Sequence, residues 1–148
     1  MGELSDQHRA LLDADTVGVL ATVAPDGKPR QSLVYFAREE EQLLVSTLSD
    51  RLKARDARRT GWATLCVMGH EPPFPSATFS GPAEILTEDI GAATASIAQR
   101  ITGSEEPPEA MSDEALAEAG RVILAISIER VTAATHLSAA GDEPGTEG

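Results

Sequence analysis

Hydrophobic positions along the chain change their period from helical to extended and back. Leu4-Ser5-Asp6-Gln7, followed by Ala10, Leu11 and Leu12, predicts a short helix whose first free amides are capped by Ser5. Residues 16–23 are then rich in Val, Leu and Thr, the types that fit a pleated, half-buried surface. Pro25-Asp26-Gly27-Lys28 has the residues of a tight turn and joins this strand to a second over residues 30–37. The acidic turn Glu39-Glu40-Glu41 leads to a third strand over residues 43–47. Three consecutive strands joined by short turns point to an antiparallel barrel or sandwich rather than a parallel sheet.

Residues 51–59 contain no Gly, Pro or β-branched residue, so a helix is expected there, capped by Ser49 or Asp50 and ended by Gly61. Further strands are expected over Trp62–Met68 and Ser76–Leu86, separated by a loop whose Pro72, Pro73 and Pro75 forbid regular structure. Helices over residues 88–102 and 113–119 and a strand over 121–128 complete the pattern. Residues 1–137 read as one domain, and the small, acidic, Gly-rich stretch 138–148 reads as a disordered tail.

Composition narrows the function. The 148 residues carry 12 basic against 24 acidic side chains, a formal charge of −12, which opposes general binding to nucleic acid. No apolar run approaches the roughly 20 residues that a membrane span needs, and the N-terminus lacks the pattern of a secretory signal. With Cys66 as its one cysteine, the chain reads as cytoplasmic, and Cys66 itself as a buried strand residue. His8, His70 and His136 lack metal-ligand spacing, so no metal site is expected. His8 is expected to be exposed on the first helix, while His70 and His136 stand as reachable proton donors or as plain surface residues.

The distribution of charge says more than its sum. Arg51, Lys53, Arg55, Arg58 and Arg59 crowd one short helix that follows the hydroxyls of the third strand. Helical spacing puts Arg51, Arg55, Arg58 and Arg59 on one side, with Lys53 acting from the first turn. A helix N-terminus with guanidinium groups is the outline of a phosphate site. A solvated basic helix face has the same outline, and spacing leaves both readings open.

The order of a GVLATV strand, a PDGKP hairpin, a QSLVYF strand and then T-x-x-x-R-x-K-x-R-D-x-x-R before another strand resembles the pyridoxamine 5′-phosphate oxidase-like split β-barrel superfamily. It resembles most its short members that use the deazaflavin coenzyme F-420, with FMN-binding relatives close behind. The resemblance spans residues 17–86 and the strand from Arg121, and it implies a mainly β fold with helices, a Greek-key-like split barrel of about six antiparallel strands, forming a homodimer with a cofactor groove at the interface.

By position, the resemblance implies that Arg51 and Lys53 hold the cofactor phosphate, with Arg55 as a weaker third. Ser32, Leu33 and Val34 would line the ring, and Ser46 and Thr47 would flank the ribityl chain. Arg30, Arg58 and Arg59 would serve the oligoglutamate tail of F-420. Where the family continues N-L-x-R-D-P, this chain has Asp56-Ala57-Arg58-Arg59-Thr60-Gly61, so the helix end differs and the polar contact made by that Asn does not carry over, while the phosphate-facing half does. Trp62, Phe74 and Phe79 stand as interface anchors or core filling.

The activity implied is hydride transfer between F-420 and an unsaturated small molecule, with a proton from Tyr35, His70 or solvent. The alternatives are an FMN-dependent oxidoreductase of the same fold, a non-catalytic flavin or haem carrier, and an acidic interaction module without a cofactor.

Overall fold

The computed structural model describes residues 4–133; His136, residues 138–148 and the expectations attached to them lie outside that range. Helix α1 (Asp6–Ala14) leads into β1 (Val17–Val23), β2 (Pro29–Glu39) and β3 (Gln42–Leu48). Then come α2 (Leu52–Thr60), β4 (Trp62–Met68), β5 (Ser76–Leu86), α3 (Gly91–Thr102), α4 (Asp113–Glu118), β6 (Arg121–Ser127) and β7 (Arg130–Ala133).

Alternation along β1 and β2 decides which side chains turn inward. Leu20, Val34 and Phe36 are buried, whereas their neighbours Leu33 and Tyr35 point outward. Each strand is too short to bury that apolar face alone, and closure solves the problem. All pairings are antiparallel: β1 pairs with β2 and β4, β3 with β2 and β6, and β5 with both β4 and β6. Six strands therefore form a closed ring, and β7 adds to β5 outside it. The fold is mainly β with helices, a split barrel of this six-stranded kind.

Two apolar clusters result. The barrel interior holds Phe36, Leu65, Phe79, Leu124 and Ile126, and α1 closes one end with Leu11 and Leu12. The outer face of β3 and β6, through Leu44 and Ile123, packs on Ile97 of α3 and Leu116 of α4. Full burial of each large side chain contributes roughly 1.5–3 kcal/mol. Phe79 is fully buried within the chain, so it fills the core rather than anchoring an interface.

Several local expectations are corrected. Cys66 is exposed, because the alternation of β4 turns Ala63, Leu65 and Val67 inward and Cys66 outward. His8 is half-buried: its ring meets Phe79 edge-on with centroids 6.1 Å apart and completes the Ser5 capping box. Helix α3 starts at Gly91 rather than at 88, since Asp89 has φ 56° and donates its amide to both carboxylate oxygens of Asp113.

Strand β7, which the sequence pattern did not predict, pairs with Ala77–Ser80 of β5, while Ala83–Leu86 pairs with β6. Gly81 sits at the changeover, where a Cβ atom would stand 1.8 Å from the Ser127 carbonyl oxygen. The obstacle is backbone, so Gly81→Ala should cost about 1–3 kcal/mol or more. Urea melts should show a lowered midpoint; an unchanged midpoint would mean that residues 127–129 do not cross β5 this closely.

Candidate functional site

Neither Ser49 nor Asp50 caps α2. Ser49 is engaged elsewhere: its Oγ accepts from Arg58 Nη2 at 2.6 Å and its carbonyl from Nη1 at 2.9 Å. Arg51 takes the N-cap position without a side-chain bond to the helix. Among the described residues the amides of Leu52 and Lys53 have no acceptor, so the helix presents free N–H groups at its positive end. Arg51, Leu52 and Lys53 face Thr22, Arg30, Gln31 and Ser32 across a cleft of about 230 Å³.

Asp56 fixes the two sides of this cleft. It lies on the buried side of α2, 1% exposed. Its carboxylate accepts from Thr22 Oγ1 at 2.9 Å, from Arg30 Nε at 2.9 Å and Nη2 at 3.3 Å, and from Arg59 Nη1 at 3.1 Å. Thr22 and Arg30 stand directly opposite each other in the β1–β2 register, so one carboxylate ties α2 to both strands of the hairpin. Burial alone would raise the Asp56 pKa, but the hydrogen bonds from Arg30, Thr22 and Arg59 outweigh it and hold the group below the usual carboxylate value. The carboxylate is thus a charged hub between α2 and the hairpin.

The cations at the cleft are differently placed. Among the described residues neither Arg51 nor Lys53 has a carboxylate partner. Burial lowers the pKa of the Lys53 ammonium, and the positive charge of Arg51 lowers it further. Two uncompensated cations beside free amides are what an oxyanion would relieve. The expected basic stripe is corrected: Arg58 is turned back to Ser49, and Arg59 bonds Asp56 and the Val23 carbonyl, leaving Arg51 and Lys53 as the cations of this segment that line the cleft.

Of the other residues singled out by sequence, Ser32 lines the cleft, but Leu33, Val34, Arg55, Ser46 and Thr47 are not among its lining residues. Leu33 is 74% exposed on the outer face and Val34 is buried in the barrel. Thr47 is buried, Ser46 accepts from Arg121 Nη1 at 3.4 Å, and Arg55 is exposed. Tyr35 stands on the outer face opposite Val17.

His70 contacts the buried carboxylate of Asp15. That pair lies beyond the start of β1 while Thr22 lies near its end, a separation of roughly 20 Å along an extended strand. Desolvation raises the Asp15 pKa despite the attraction of His70 and Arg100. Thr22, Gln31 and Leu52 escaped sequence reasoning. The one signal for Thr22 was a carboxylate inside an otherwise apolar helix face, which needed donors from somewhere.

Among the described residues no group of three or more His, Cys, Asp or Glu side chains is placed to hold a metal ion. No helix there is long and apolar enough to cross a membrane.

Comparison with known proteins places this geometry. A family model described as pyridoxamine 5′-phosphate oxidase matches residues 4–134. Among solved structures, an F-420 reductase is 27% identical with a TM-score of 0.68, over 83% of this chain and 94% of that one. A conserved hypothetical protein from Mycobacterium tuberculosis is 23% identical with a TM-score of 0.70, over 88% of this chain and 84% of that one. A FAD-binding protein from Mesorhizobium loti is 24% identical with a TM-score of 0.66, over 88% and 94%. The latter two likenesses speak to the fold alone.

Proposed function

Because the chain belongs to the pyridoxamine 5′-phosphate oxidase family, we propose that its cleft holds the phosphate of a flavin-type coenzyme and that it is an oxidoreductase passing a hydride between F-420 and an unsaturated small molecule. The observation that carries this reading is the pairing of Arg51 and Lys53, without carboxylate partners among the described residues, with the free amides of Leu52 and Lys53 and the side chain of Ser32 around one cleft. In a chain of net charge −12 such a spot selects a small anion. The likeness to an F-420 reductase supports the choice of coenzyme.

When bound, the coenzyme ring supplies the hydride chemistry. The chain's residues bind and orient it. Arg51 and Lys53 grip the phosphate, Arg55 adds long-range attraction, and Ser32 donates its hydroxyl. The β2 backbone at Ser32, Leu33 and Val34 would run beside the ring, and Ser46 and Thr47, which lie outside the cleft lining of one chain, would flank the linking chain. The proton would come from Tyr35 or from solvent, because His70 is engaged by Asp15 roughly 20 Å along β1 from Thr22.

The cleft in one chain is smaller than the roughly 300–1,000 Å³ that ligand sites usually occupy. A second copy of the chain completes it. The outer face of β1, β2 and β4 presents Leu33, Tyr35, Val17 and Met68 in adjacent rows, running up to the Gln31 and Ser32 rim of the cleft. An apolar sheet face of this kind is an association surface, and the exposed Trp62 of β4 stands on the same side of its strand.

FMN is the second reading. It is favoured by the commitment of Arg58 and Arg59 to Ser49 and Asp56, which removes two cations from the service of an oligoglutamate tail. Fluorescence titration with each coenzyme, followed by a screen of enones, quinones and tetrapyrroles, separates the possibilities. Micromolar F-420 binding with turnover supports the proposal. FMN binding alone reverses the coenzyme, binding without turnover makes the protein a carrier, and binding of neither overturns the reading.

A further inference from the structure

We propose that Arg30 is a third anion-binding group of the cleft, held in place by Asp56, and that it takes a second negative charge carried by the bound ligand beside the one gripped by Arg51 and Lys53. This rests on the coenzyme reading above and deepens it.

The geometry is that of a guanidinium used on two edges. Arg30 gives Nε and Nη2 to Asp56, and among the described residues its Nη1 has no acceptor. Its side chain is 33% exposed and lines the cleft, whereas Asp56 at 1% stays behind it. Arg30 lies two residues from Ser32 on β2, so both project to the same side of the strand.

Charge balance separates this role from a purely structural one. If Asp56 needed only neutralisation, Arg59 and the Thr22 hydroxyl would supply it. Arg59 spends its other nitrogen on the Val23 carbonyl, away from the cleft lining. With Arg59 matching Asp56, the three cleft cations Arg30, Arg51 and Lys53 stand unmatched, for a net +3. A singly charged phosphodiester matches only one of these; a phosphate dianion, or a diester with a neighbouring carboxylate, matches two. Among the described residues the charged groups facing Arg30 are Asp56, Arg59, Arg51 and Lys53, and no histidine lines the cleft.

The shared chemistry is the second charge, and two coenzymes carry it differently: FMN on the phosphate itself, F-420 on the carboxylates of its tail. The test titrates full-length wild type, Arg30→Gln and Arg30→Lys with FMN and with F-420, at pH 5 and pH 7.5, on either side of the second phosphate ionisation near about 6.

Arg30→Gln should weaken the bound coenzyme about tenfold at pH 7.5, the loss of one charge-assisted hydrogen bond, and Arg30→Lys should recover much of it. If FMN is the ligand, wild type tightens from pH 5 to pH 7.5 and Arg30→Gln loses that step. If F-420 is, the loss is similar at both pH values. A merely structural arginine would not remove the FMN step. Wild-type affinity and pH response in Arg30→Gln overturn this inference alone; a wild type that binds neither coenzyme overturns the proposed function with it.

Discussion

Replacing Arg51 and Lys53 together with alanine should abolish coenzyme binding while leaving the fold intact. Each charge-assisted hydrogen bond to a phosphate contributes about 1.5–3 kcal/mol, so losing both weakens binding by roughly a hundredfold to ten-thousandfold. The free protein should not suffer: Arg51 is exposed, neither cation has a carboxylate partner among the described residues, and removing Lys53 relieves a charge whose burial is unfavourable. Surface changes of this kind usually stay within about 0.5 kcal/mol.

The pH dependence of the wild type follows from the same group. The Lys53 pKa is lowered by burial and by Arg51, so the ammonium is lost at a lower pH than an ordinary lysine loses it. Affinity should therefore fall on the alkaline side earlier than for an unperturbed lysine. Fluorescence titration beside a urea melt gives both numbers. A destabilised double variant, or one that binds as wild type does, contradicts the assignment.

Asp56→Ala should be the most damaging polar substitution at the site. It leaves Arg30, Arg59 and Thr22 without their shared acceptor and unties α2 from the β1–β2 hairpin. Breaking a buried charged network costs about 3–5 kcal/mol; here about 2–4 is expected, since Arg30 and Arg59 keep contact with water. Coenzyme affinity should fall too, because the cleft's walls are no longer held in register.

The acid limb identifies the cause. The folded pKa of Asp56 lies below its unfolded value, so its contribution is fully present above the ordinary carboxylate range and is lost as pH falls through the lower folded value. The stability difference between wild type and Asp56→Asn should therefore narrow below about pH 4. Asp15 has the opposite sign: its raised pKa adds stability as pH falls, so the comparison must be between variants rather than along one wild-type profile. A difference that stays constant into acid would show that Asp56 acts through packing and not through its charge.

The strands were legible because alternation and turn residues are local. Trp62–Met68 and Ser76–Leu86 stand where the pattern put them, and the Pro25-Asp26-Gly27-Lys28 turn joins β1 to β2. What escaped depends on distant partners. Strand β7 is only four residues long and exists because one half of β5 has an open edge for it. Cys66 is apolar enough for a core, yet the register of β4 against β1 puts it opposite Val19 on the outer face.

At the site, composition revealed the cations but not their division of labour. Arg58 and Arg59 resemble Arg51 in sequence; only the fold shows that Ser49 and Asp56 claim them. The same contact removes Ser49 as a cap and so opens the helix N-terminus. Helical spacing separated Lys53 from Arg51, whereas the start of α2 brings both to one rim, since Arg51 precedes the first helical turn.

The most direct test of the account is an amide NMR titration of the isotopically labelled protein with F-420 and with FMN. The largest early shifts should fall at the amides of Leu52 and Lys53, with Ser32 close behind, saturating at the affinity found by fluorescence. Binding that shifts other regions and leaves Leu52 and Lys53 unmoved would contradict it.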